Sequence, residues 1–103
     1  MAKGYWIARL DISDPDAYSK YIAANAKPFA KFGAKFLVRG GDFVAKEGSA
    51  RQKQVVLEFA DYATALACYE SADYQAAIKL RENVSEGDMV IVEGYDGPQP
   101  GES

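Results

Sequence analysis

The chain has 103 residues, 49% hydrophobic and 26% charged, the balance of one soluble globular domain with a single core of ordinary size. A net charge of −3 without any basic block argues against nucleic-acid and anionic-membrane partners, since nothing is there to neutralise phosphates. Histidine is absent and cysteine occurs once, at Cys68, which excludes an internal disulfide, a cysteine-cluster metal site, histidine-based catalysis and a histidine-ligated haem.

No run of about 18 apolar residues and no charged-then-apolar leader is visible, so neither a membrane span nor an export signal is expected. The cytoplasm is the default location. The first predicted strand covers residues 4–12, with Trp6, Ala8, Leu10 and Ile12 apolar on one side and Tyr5, Ile7, Arg9 and Asp11 mixed on the other. Asp14-Pro15-Asp16 starts a helix: Asp14 can cap, Pro15 suits the first helical position, and Asp16 favours the positive end of the dipole. Tyr18, Tyr21/Ile22, Asn25, Phe29 and Phe32 recur at helical spacing, and Gly33 is a natural stop. Pro28 should kink or loosen the last turns.

Residues 35–47 read as a second strand broken at Gly40-Gly41, where a glycine pair marks a bulge, a bend or a close approach by another group. Residues 48–53 are a polar turn, and 54–60 a third strand with Val55, Leu57 and Phe59 opposite Val56 and Glu58. Asp61 caps a helix striped by Tyr62, Ala65/Leu66 and Tyr69; Cys68 lies in it as a small buried thiol. Ser71 starts a further helical segment over 73–83, whose broad apolar face holds Tyr74, Ala77, Ile78, Leu80 and Val84, with Arg81 snorkelling past its neighbours. Glu86-Gly87-Asp88 reads as a turn and 89–94 as the last strand, with Val90 and Val92 opposite Ile91 and Glu93. The domain therefore spans 1–96, and 97–103, with nothing to bury, is a flexible tail.

The order β-α-β-β-α-β predicts an α+β, ferredoxin-like fold: an antiparallel sheet in spatial order 4-1-3-2 with the helices on one face. The other face is expected to carry Tyr5, Ile7, Val56 and Ile91 among charges, a half-apolar surface that a second copy of the chain would cover. Across that face Glu93, Arg9, Glu58 and Arg39 are predicted to alternate in sign, one per strand, either as a structural ladder or as the lining of a pocket.

Gly4-Tyr5-Trp6-Ile7-Ala8-Arg9, Asp14-Pro15-Asp16-Ala17-Tyr18, Phe36-Leu37-Val38-Arg39-Gly40-Gly41, Tyr74-Gln75-Ala76-Ala77 and the stretch 90–95 together resemble the DUF1330 family of unknown function, nearly end to end. The resemblance implies membership of the dimeric α+β barrel superfamily, in which two four-stranded sheets face each other. That superfamily includes cofactor-independent monooxygenases, haem-binding proteins, isomerases and proteins of no known activity, so the resemblance implies a homodimer more firmly than a function.

Three functions stay open. A small anionic or aromatic molecule could bind beside the sheet, with Arg39, Arg9, Glu58, Glu93, Tyr5, Tyr74 and Arg81 as candidate contacts. Alternatively, a monooxygenase- or isomerase-like enzyme would use Arg39 to hold an oxyanion and Glu58 or Glu93 as proton acceptor. The third is an interaction module without chemistry. None of the three calls for a metal or cofactor.

Overall fold

The computed structural model describes residues 2–102. Its elements run β1 (Gly4–Ile12), α1 (Pro15–Lys31), β2 (Lys35–Arg39), β3 (Lys53–Phe59), α2 (Tyr62–Glu70), α3 (Ala72–Ile78) and β4 (Ser85–Glu93). The sheet is antiparallel throughout, in the order β2-β3-β1-β4, which is the expected order written from the other edge.

The helices start where side-chain caps were expected. Asp14 accepts from the Ala17 N–H at 3.1 Å, Asp61 from Thr64 at 2.7 Å and the Ser71 hydroxyl from Tyr74 at 3.3 Å. Pro28 lies buried inside α1 with its carbonyl taken by the Phe32 N–H at 3.0 Å, and Gly33 (φ +69°) ends the helix in the left-handed region. Beneath the helices, Trp6 is the hub of the core. Its ring meets Tyr74 at 4.9 Å, Phe59 at 5.3 Å and Phe29 at 5.4 Å, and its indole N–H donates to the Ala65 carbonyl at 2.9 Å. Each such aromatic pair is worth about 0.5–1.5 kcal/mol beyond simple burial. Cys68 is buried, as read from the sequence, and burial pushes its thiol up to about 11.

Several boundaries depart from the sequence reading. β2 stops at Arg39, and residues 40–52 form a loop instead of the predicted continuation to 47, because Gly40 (φ +68°) turns the chain off the sheet. Glu86-Gly87-Asp88 is not a turn but part of β4, which pairs with β1 from Ser85 to Glu93. Gly87 suits that pairing: a Cβ there would meet the Arg9 carbonyl and the Leu10 side chain. α3 ends at Ile78 instead of near 83, and the turns that follow pass through Asn83 at φ +68°. Tyr62, placed on the α2 stripe, is 38% exposed; Ala65 and Cys68 are the residues α2 buries. Residues 97–102 are exposed, and Ser103 of the expected tail lies outside the described residues.

The sheet's two faces follow from the register. Trp6, Leu57 and Ile91 stand side by side beneath the helices, while Ile7, Val56 and Val90 stand side by side on the open face. Ile91 therefore belongs to the core and not to the open face, where Val90 and Val92 take its place. The chain is a slab of 49 × 34 × 16 Å, helices on one side and bare sheet on the other.

Candidate functional site

The predicted charge ladder does not form. Phe36 pairs with Leu57 and Val38 with Val56, so a bulge at Leu37 adds one residue to β2 and turns everything after it over. Arg39 consequently pairs with Val55 and faces the helices, whereas Glu58 faces the open side. Arg9 stands opposite Gln54 and Asp88, four positions along β1 from Glu58's partner Tyr5. Glu93 pairs with Gly4, in register with the helix-facing set. The Tyr5 hydroxyl, not an arginine, donates to Glu58, at 3.2 Å.

What the bulge gains is a cavity on the helix side. It measures about 90 Å³ and lies between α1, α3 with the chain that follows it, and the strands β1, β2, β3 and β4. Trp6, Phe29, Phe36, Leu57 and Met89 give it apolar walls; Tyr18, Tyr21, Asn25, Tyr74 and Arg81 bring polar atoms from the helical side. Arg39 and Lys53 reach it from β2 and the start of β3. Of the predicted contacts, Arg39, Tyr74 and Arg81 thus meet at one cavity, and Tyr5, Arg9, Glu58 and Glu93 stand away from it.

The polar side is organised around two phenols. The Tyr21 and Tyr74 hydroxyls are 2.5 Å apart and both residues are buried. Burial pushes the Tyr74 pKa far up, with the neighbouring Tyr21 phenol adding to it and Arg81 opposing. Tyr18 is pushed up to about 12, first by burial and then by Tyr21. Tyr18 and Tyr74 therefore stay protonated near neutral pH. Arg81 lies with its guanidinium carbon 5.2 Å from the Tyr21 ring centre, and its buried Nε has no hydrogen-bond partner among the described residues. Snorkelling therefore describes only part of this side chain: its Nε is sealed in. Asn25, 7% exposed, lines the same cavity. A polar residue in the otherwise apolar α1 stripe was the signal for it in the sequence; Lys53 gave no comparable signal.

The arrangement is cation-rich. Arg39 makes no ion pair among the described residues and stacks its guanidinium carbon 4.2 Å from the Phe36 ring centre. Asp88, the one carboxylate-bearing residue on the described lining, is held by Arg51 at 3.0 Å. The cavity can thus donate hydrogen bonds and attract negative charge, and no free carboxylate among the described residues stands there to accept a proton.

Elsewhere among the described residues there is no cluster of three or more potential metal ligands, and no helix is long and apolar enough to cross a membrane.

Solved structures share this architecture at low sequence identity, which shows the fold alone. A protein of unknown function from Rhodopseudomonas palustris is 16% identical with a TM-score of 0.69, over 93% of this chain and 85% of that one. A protein from Thermobifida fusca, described as a dimeric ferredoxin-like protein of unknown function, is 20% identical with a TM-score of 0.58, over 89% of each chain. SnoaB, a cofactor-independent oxygenase from Streptomyces nogalater, is 12% identical with a TM-score of 0.59, over 96% of each chain. No curated protein matches the sequence. The family model for a domain of unknown function, DUF1330, matches residues 3–95, and with the ferredoxin-like sheet and helices just described the chain belongs to the DUF1330 family.

Proposed function

We propose that the protein is a homodimer, closed through its open sheet face, that binds a small molecule in the helix-side cavity of each protomer. The observation that carries the binding reading is one cavity that brings the Arg81 guanidinium, its buried Nε without a partner, together with the Asn25 amide and the Tyr21–Tyr74 hydroxyls. A buried donor without an acceptor costs about 1–3 kcal/mol, a cost that a bound acceptor removes.

The dimer reading draws on the open face. Ile7, Val38, Val90 and Val92 are each at least 40% exposed there, beside half-buried Val56. The radius of gyration, 14.9 Å, exceeds the roughly 13 Å of a compact domain of this length, as a slab awaiting a second layer would. The Thermobifida relative, described as dimeric, points the same way. An oxygenase-type reading draws on fold likeness, and the expected acceptors Glu58 and Glu93 stand away from the cavity, so binding is preferred.

A thermal-shift screen of small acids, phenols and neutral analogues tests the binding reading. A ligand at about a hundred times its Kd raises stability by about 2.7 kcal/mol. A screen without any dose-dependent shift would contradict it.

A further inference from the structure

The geometry points to a small monocarboxylate as the ligand, its head group at the Arg81 guanidinium and its apolar body, no larger than one ring, against Phe36, Phe29 and Trp6. This rests on the binding reading above and specifies it.

The head group follows from what the cavity lacks. Arg81 Nε is a donor only, and it is buried without an acceptor. The Tyr21–Tyr74 pair has two hydroxyl protons and uses one between its own oxygens, which leaves one to donate outward. The Asn25 NH₂ adds further donors on a side chain that is 7% exposed. These groups line one cavity, and a carboxylate accepts several hydrogen bonds with charge assistance from the guanidinium.

Charge selects the same class. Arg39, Lys53 and Arg81 form no ion pair among the described residues, while Lys27 and Arg51, which do, lie off the cavity. Exposed Arg39 and half-buried Lys53 mark the outer rim, where they draw an anion inward.

Size and wall chemistry limit the body. A cavity of about 150 Å³ accepts benzene, so 90 Å³ takes a carboxylate with a short chain, or with a single ring directed toward the rim at Phe36. Phe36 is 39% exposed and already carries Arg39 on one face, an edge suited to a planar ring. A phosphate has no apolar body and would leave those walls without a contact.

Calorimetric titration of the full chain with benzoate, benzamide and inorganic phosphate, repeated on Arg81→Gln and Asn25→Leu, tests the assignment. Asn25→Leu keeps size and suits the apolar stripe of α1, so it stays folded even if Arg81→Gln does not. Benzoate is expected to bind at least about tenfold more tightly than benzamide or phosphate, and either substitution is expected to erase most of that preference. Added salt should weaken benzoate and leave benzamide unchanged. Equal binding of benzoate and benzamide, unchanged in both variants, would overturn the carboxylate assignment and leave the binding reading standing. Tighter binding of phosphate would overturn the apolar-body assignment. Failure of all three probes to bind would overturn this inference, while a hit of another class in the thermal-shift screen would preserve the broader one.

Discussion

The hydroxyls of Tyr21 and Tyr74 meet at 2.5 Å across 53 positions of sequence, tying α1 to α3 directly above the Trp6 ring. Both side chains are buried, and Arg81 also reaches the Tyr74 hydroxyl. Tyr74→Phe should cost about 1–3 kcal/mol in urea unfolding, because it strands the Tyr21 hydroxyl. Adding Tyr21→Phe should cost less than a second independent loss, since it removes the stranded hydroxyl itself. Strict additivity would mean that the two phenols do not depend on one another.

Alkaline stability provides a second check. The folded pKa of Cys68 is raised by burial from 9.0 to about 11, and that of Tyr18, also by burial, from 10.0 to about 12. Groups with raised folded pKa values hold their protons more tightly folded than unfolded. Their stabilisation is therefore complete below pH 9 and is lost progressively as pH rises through about 11 to 12. Tyr74 moves in the same direction. Tyrosinate absorbance should show a late-titrating class that appears together with loss of the near-ultraviolet circular dichroism. Full titration of all tyrosines in a folded chain would contradict the burial described here.

The proposed dimer gives a third expectation. Val90 is 57% exposed on the open face, so Val90→Asp should be harmless to an isolated protomer. In a dimer closed through that face it introduces an unpaired buried charge, with a cost of about 3–5 kcal/mol. Sedimentation should show wild type at twice the 11.2 kDa chain mass and the variant at the chain mass. A wild-type monomer, or a dimer insensitive to the substitution, would remove the open face as the interface.

Arg51 closes the long loop by reaching Asp11 on β1 at 2.7 Å and Asp88 on β4 at 3.0 Å. The next residue, Gln52, donates its N–H to Asp11 and accepts from the Ile12 N–H. Arg51→Met should accelerate amide exchange at residues 51–54 and at the Asp11–Asp88 end of the sheet, leaving exchange at Trp6 and Leu57 unchanged. Uniform acceleration would assign Arg51 a global role.

Much of this was legible in the sequence because local signals agreed. Alternation in β1, the Asp14, Asp61 and Ser71 caps, and Gly33 all acted where expected. The fold order followed from them. The site was legible in its residue types and not in its placement. Arg39, Tyr74 and Arg81 were identified, but a one-residue bulge at Leu37 decides which face Arg39 takes, and no side chain near it announces a bulge. Gly40-Gly41 drew the attention that Leu37 required. β4 extended further back than read because Gly87, a turn residue by composition, is wanted in the strand for its lack of a Cβ. Ile91 lies beneath the helices because the register pairs it with Trp6.

The most direct test of the central claim is a crystal structure of the full chain grown with benzoate. The account predicts ligand density within hydrogen-bond distance of the Arg81 guanidinium, beneath α1 and beside Phe36. Density confined to the open sheet face, near Arg9 and Glu58, or an unchanged helix-side cavity at saturating benzoate, would contradict it.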